Sequence, residues 1–104
     1  MKYAWTWNIK PEYLDEYVKM HAQPWPEIMK AHHDAGFYNY SIFQNGCQFI
    51  YVFESDDAQA SFDYVNNNED CKRWNAITTK MIDTDFDGAI DSGIHYLHEA
   101  FYLE

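Results

Sequence analysis

The sequence predicts a small α+β domain. Strand-type runs open the chain, occupy its centre and close it, and helical spacing fills the two intervals between them. An Asn-Gly pair, Asn45-Gly46, joins the two central runs, and it is the strongest short hairpin signal a sequence offers. At 104 residues the chain makes one domain over 1–104, long enough to bury a core.

Each element follows from its residues. Tyr3, Trp5, Trp7 and Ile9 alternate with Ala4, Thr6 and Asn8, which reads as a first strand over 3–9. Pro11 suits a first helical turn, and Glu12, Asp15 and Glu16 suit its positive end, so a helix runs to about His21. Pro24 and Pro26 lack amide hydrogens and force a bend. A second helix then carries Ile28, Met29 and Ala31 or His32, with Gly36 placed to end it in the left-handed region. Phe37–Gln44 and Cys47–Glu54 read as the central strands. Ser55-Asp56-Asp57 offers N-caps for a helix with Phe62 and Val65 inward. Asn66-Asn67-Asn68 breaks that helix. A further one places Cys71, Trp74, Ile77 or Thr78, and Met81 on one stripe. An acidic loop, 83–93, precedes a last strand over Ile94–Leu103.

The order β-α-β-β-α-β, with each helical region in two pieces, is the ferredoxin-like arrangement. Its helices cover one face of an antiparallel sheet and leave the other bare. Both faces of the first three strands carry large apolar groups, so two sheets are expected to pack together in a homodimer.

Composition narrows the function. Aromatics make up 19% of the chain, more than one small core needs, which points to an interface or a ring-lined site. A net charge of −10 argues against nucleic acid and against anionic membranes. A neutral ligand suits it. No segment approaches a transmembrane length, and the first residues lack a signal-peptide pattern. Cys47 and Cys71 stand far apart and outside a C-x-x-C spacing, which fits two reduced structural thiols in the cytoplasm.

The stretch Tyr17–Glu27 carries the chemistry. Tyr17 and His21 are four apart, so a helix projects both from one face. The Pro24-Trp25-Pro26 bend follows at once. A histidine at a bend beside a phenol and an indole suits a sugar: ring faces pack on C–H surfaces, and His and Tyr handle hydroxyl protons.

At this point the residues resemble a known family, the L-rhamnose mutarotases, small dimeric proteins that interconvert anomers of a 6-deoxy sugar. Five elements carry the resemblance, in family order and over nearly the whole chain. They are Glu16-Tyr17 with His21, then Trp25-Pro26-Glu27; Gly36 with Asn39-Tyr40-Ser41-Ile42; Cys71-Lys72-Arg73-Trp74; and Glu99-Ala100-Phe101-Tyr102-Leu103. The resemblance implies His21 as the general acid, with Tyr17, Tyr40, Trp74 and the residue after it, Asn75, lining the sugar site. Asn75 is a departure, since many members carry a second tryptophan there. An amide in that place exchanges a stacking surface for a hydrogen-bonding group and makes L-fucose the rival substrate.

Anomer exchange needs a proton on the ring oxygen as the C1 hydroxyl loses one, which an imidazole titrating near neutrality can manage. No metal, nucleotide or redox cofactor is expected. Each residue also has a plainer reading. His21 fits a helix cap, Tyr17 and Tyr40 fit core or interface rings, and Trp74 fits the apolar stripe of its helix. His32-His33 reads as a solvated helix end, and His95 and His98 have opposite parity on the last strand. Asp83–Asp91 matches the opening of an EF-hand loop, with carboxylates at positions 1, 3, 5 and 9 and glycine at 6. Position 12 is Ile94 instead of the bidentate Glu, so a solvated loop is expected and not a calcium site. Two rivals remain: by fold analogy alone, a cofactor-free monooxygenase or haem-handling barrel, and a non-catalytic sugar-binding or stress-type dimer with a vestigial site.

Overall fold

Both faces of Gln48–Glu54 are apolar, and that strand takes the centre of the sheet. In the computed structural model, which describes residues 1–83 and 94–104, three antiparallel strands run in the order β1-β3-β2. Here β1 is Lys2–Asn8, β2 is Tyr38–Asn45 and β3 is Gln48–Glu54. Burial alternates along β3, with Phe49, Tyr51 and Phe53 inside and Ile50 and Val52 half-buried on the other side. The register sets Trp5 and Ile42 on either side of Tyr51. Four helices accompany the sheet: α1 (Leu14–Ala22, entered through a 3-10 turn Pro11–Tyr13), α2 (Pro26–Ala35), α3 (Ala58–Asn67) and α4 (Glu69–Thr78). Tyr17 of α1 meets Phe49 at 4.9 Å and Phe62 of α3 meets Phe53 at 5.5 Å, so the helices cover one sheet face. On the opposite face Ala4, Thr6, Phe43, Ile50 and Val52 are all at least partly open to solvent.

Local chemistry sets the boundaries. The Asp57 side chain accepts from the Ala60 amide to cap α3, and Asn68 accepts from the Cys71 amide to cap α4. Gly36, at φ 95°, ends α2 as expected, where a side chain would be strained. The hairpin closes one residue later than the Asn-Gly rule suggests. Asn45 pairs with Gln48, leaving Gly46-Cys47 as the loop, and the positive φ of 62° falls on Gly46 alone. Glycine at the first central position is the type II′ pattern. On the buried stripe of α4, Cys71, Trp74 and Thr78 are inside while Ile77 is 37% exposed. Met29 of α2 also points outward. Cys47 and Cys71 are free thiols.

The expected last strand over Ile94–Leu103 is not formed. That segment makes one backbone bond to the sheet, from the Leu97 amide to the Ala4 carbonyl at 2.7 Å. The contact lies on the free edge of β1, where a ferredoxin-like fourth strand belongs. Leu97, Phe101 and Leu103 are 50–80% exposed, so the segment buries too little apolar surface to offset the ordering of another strand. The EF-hand-like stretch of the sequence falls, apart from Asp83 and Ile94, outside the described residues. Among the described residues no helix is long and apolar enough to cross a membrane.

Candidate active site

The site is built where α1, the Pro24-Pro26 bend, α4 and the inner face of the sheet meet. The i to i+4 spacing on α1 stacks the Tyr17 and His21 rings, with centroids 4.2 Å apart. His21 Nδ1 lies 2.9 Å from the Tyr17 carbonyl oxygen. A carbonyl only accepts, so Nδ1 carries the hydrogen and the neutral imidazole keeps its lone pair on Nε2. Burial pulls the His21 pKa below its ordinary 6.5, partly offset by that same carbonyl. Near neutral pH the ring is therefore mostly uncharged.

The bend supplies the wall. Trp25 packs edge-on against Trp74 at 5.0 Å, and Trp74 lies 5.5 Å from the His21 ring. The Pro24-Trp25-Pro26 unit thus does more than turn the chain: it presents an indole to the helix that carries Trp74. Trp74 itself is 8% exposed and belongs to the core. Asn75, the next residue, is exposed on α4, so the structure does not bring its side chain into the ring cluster.

Tyr17 is buried, and its hydroxyl lies 2.5 Å from that of Tyr51 on β3. Burial pushes the Tyr17 phenol up to about 12, partly offset by the Tyr51 hydroxyl. Burial first, and the Tyr17 and Tyr40 phenols next, raise Tyr51 well above its ordinary value. All three phenols are therefore neutral donors at physiological pH. Tyr40 reaches this cluster through a β-bulge. Between Tyr38 and Ser41 the register shifts, with Asn39 in the left-handed region at φ 49°. The extra residue turns Tyr40 inward to stack on Phe53 at 5.6 Å, and burial lifts its phenol too.

Sequence reasoning missed three members of the cluster. Tyr51 alternates with Ile50 and Val52 on a core-facing position, and a hydroxyl in that position demands a partner. Trp5 stacks on Tyr51 at 4.7 Å with planes 11° apart, and its buried Nε1 has no hydrogen-bond partner among the described residues. A buried donor left unmatched costs about 1–3 kcal/mol. His32 is not a solvated helix end. It is half-buried, its Nδ1 donates to the Ile28 carbonyl at 2.8 Å, and its ring lies 6.0 Å from that of Tyr40. The fold turns His32 toward the bulge that places Tyr40, a proximity that spacing along α2 does not reveal.

Two recesses in the surface lie elsewhere. One of about 550 Å³ is lined by Ala60, Asp63, Tyr64, Asn67 and Asn68, and one of about 190 Å³ sits beside Gly36 and Ser55. Neither touches His21. The large upward pKa shifts of Tyr17, Tyr40 and Tyr51 and the lowered pKa of His21 mark the ring cluster instead.

Known proteins agree on the family. Residues 2–103 match the L-rhamnose mutarotase family. A protein named L-rhamnose mutarotase from Ligilactobacillus salivarius is 35% identical, over 93% of this chain and 92% of its own length. One of the same name from Shouchella clausii is 32% identical over 96% and 95%. Among solved structures, an L-rhamnose mutarotase from Formosa agariphila superposes with a TM-score of 0.74 at 22% identity, covering 100% of this chain and 99% of that one. An antibiotic biosynthesis monooxygenase gives 0.61 at 18% identity, over 81% of this chain and 87% of that one, and shares the fold alone. The α+β, ferredoxin-like class is thereby borne out, and the chain belongs to the L-rhamnose mutarotase family.

Proposed function

We propose that this chain is a cofactor-independent mutarotase, one domain over 1–104, that interconverts the α and β anomers of a 6-deoxyhexose, L-rhamnose ahead of L-fucose. The observation that carries the reading is the His21 arrangement. Its Nδ1 is tied to the Tyr17 carbonyl, which leaves Nε2 free for proton transfer beside a phenol and an indole.

The chemistry balances with one imidazole. Neutral His21 takes the proton from the C1 hydroxyl, whose electrons form the aldehyde C=O. The bond from C1 to the ring oxygen breaks, and its electron pair stays on that oxygen. The imidazolium then acts as the general acid and returns the proton there. The open aldehyde turns about its C1–C2 bond, and the steps reverse on the other face. No electrons are exchanged with a cofactor. Neutral phenols at Tyr17 and Tyr40 orient sugar hydroxyls, Trp74 packs on the apolar face with the 6-methyl, and Asn75 discriminates between sugars from its exposed place beside Trp74.

The bare sheet face supports a homodimer. Ala4, Phe43, Ile50 and Val52 leave an apolar patch in the centre of the sheet, and Phe101 and Leu103 of the tail are exposed as well. Light scattering at micromolar concentration is expected to give twice the 12.4 kDa chain mass, and a folded monomer overturns the pairing. The cytoplasm is the proposed location.

Saturation-transfer NMR of anomeric protons tests the activity over a panel of L-rhamnose, L-fucose and common hexoses. The chain is expected to accelerate exchange of L-rhamnose most. Exchange no faster than in buffer for every sugar refutes the reading.

A further inference from the structure

We propose that the Trp5 indole N–H is a substrate donor: it hydrogen-bonds a hydroxyl of the sugar from the sheet side of the site, opposite the helix that carries His21. This rests on the mutarotase reading and adds a binding residue to it.

Trp5 is 2% exposed and its Nε1 has no partner among the described residues. An indole N–H donates one hydrogen bond and accepts none. A phenylalanine on the same strand position would fill most of that space without burying a polar atom. The rings around the indole include Trp7 at 5.5 Å, Phe53 at 5.7 Å and Phe62 at 6.0 Å. These three supply no acceptor lone pair, and the hydroxyls of the adjoining Tyr40 and Tyr51 rings make no hydrogen bond to Nε1. Buried polar groups in native folds are matched, and an exception calls for an occupant.

Its place says what the occupant is. The Trp5 ring lies flat on Tyr51, the Tyr51 hydroxyl meets that of Tyr17, and the Tyr17 ring stacks on His21. The unmatched donor therefore belongs to the same wall as the proton-transfer residue. Nε1 itself is closed off from solvent, and Trp7 and Tyr40, which flank the indole edge-on and are only half-buried, are the rings that part to admit a sugar hydroxyl. A chain of net charge −10 does not favour an anion as acceptor. A neutral hydroxyl in an aromatic wall does suit the site. A pyranose carries hydroxyls around its whole ring, so it can meet His21 on one side and Trp5 on the other.

The test uses two readouts on the whole chain. The ¹⁵N-labelled protein has four indole N–H signals, one per tryptophan, and Trp5 is assigned through its ring-to-backbone connectivity. Saturating L-rhamnose is expected to move the Trp5 indole proton downfield. Trp5→Phe keeps a six-membered ring and removes the donor together with the five-membered ring. It is expected to stay folded, because loss of the unmatched buried donor offsets part of the packing that is given up. It is also expected to lose about tenfold in kcat/KM for anomer exchange, mainly through KM. A purely structural tryptophan gives the first result without the second. A Trp5 signal unmoved by a sugar whose exchange the chain accelerates overturns the assignment and leaves the mutarotase reading standing. So does Trp5→Phe exchanging sugar at the wild-type rate. If the chain accelerates exchange of no sugar, the mutarotase reading falls, and Trp5 falls with it.

Discussion

His21 and His32 have the same anchor and different company. Each sits near the end of its helix, donates Nδ1–H to the carbonyl four residues back, is half-buried, and has its pKa drawn below 6.5 chiefly by burial. The carbonyl contact is what the i to i−4 geometry of a helix offers any inward-turned histidine, and by itself it makes no site. The surroundings differ. His21 stacks on a phenol whose hydroxyl continues to Tyr51, and it faces the Trp74 and Trp25 pair. His32 lies against Phe37 at 5.3 Å, with the Tyr40 ring edge-on beyond. A helix end can prepare an imidazole to exchange a proton. Only the groups around it give that proton somewhere to go.

The sharpest way to break this contrast is to remove each imidazole in turn. His21→Ala is expected to cost about 10²–10⁴-fold in anomer exchange, the usual range for a general acid–base group. His32→Ala is expected to stay within a few-fold of wild type. Equal losses in the saturation-transfer assay mean that the two histidines divide the acid and base roles between them.

Substrate choice sharpens the contrast next, because it places sugar recognition on the Trp74 side. Asn75→Trp restores a ring beside Trp74. It is expected to change the ratio of L-rhamnose to L-fucose activity by about 1–3 kcal/mol, the worth of one altered pocket contact. An unchanged ratio with both activities retained removes Asn75 from the site.

The phenol pair behind His21 has no counterpart behind His32. Tyr17→Phe leaves the Tyr51 hydroxyl buried and unmatched, and is expected to lower unfolding stability by about 1–3 kcal/mol. Pairing it with Tyr51→Phe recovers part of that loss, since both partners then go. Exchange by the single variant falls less than in His21→Ala. Additive losses in urea unfolding of the single and double variants show that the two hydroxyls do not interact.

The smallest effect is one the two histidines share. Both have folded-state pKa values below the unfolded value, so the unfolded chain binds more protons and stability rises with pH. Their contribution is fully present above about 6.5 and is lost as pH falls through the lower folded values. His21→Gln and His32→Gln are each expected to flatten the fall in urea midpoint between about pH 7 and 5, a window above the main carboxylate titration. A wild-type midpoint that climbs on acidification contradicts the direction of both shifts.

What the sequence disclosed and what it hid divide along range. Local signals held: the alternation of β1, the Pro24–Pro26 bend, Gly36 as a left-handed cap, an N-cap for α3 within Ser55-Asp56-Asp57, and the helix break at Asn66-Asn67-Asn68. The α1 spacing alone put Tyr17 and His21 on one face. The hairpin slipped by one residue because Gly46 favours the first central position over the second. Contacts between distant residues were hidden. Tyr17 meets Tyr51 across 34 positions, and nothing in either neighbourhood announces the other. His32 looked solvated because the reading of its helix left open whether it or Ala31 faced inward. The last strand failed for a related reason: its residues are strand formers, but a strand needs a covered face, and Phe101 and Leu103 are 80% exposed.

If His21 carries the proton, the pH profile of anomer exchange must report its titration. Saturation transfer on L-rhamnose is measured across the acid range for the wild type and for His21→Gln. The wild-type acceleration is expected to fade with a midpoint below 6.5, as the neutral imidazole that starts each turnover is lost. His21→Gln is expected to follow the buffer blank at every pH. A His21→Gln chain that keeps the acceleration, or keeps the same acid limb, contradicts the account.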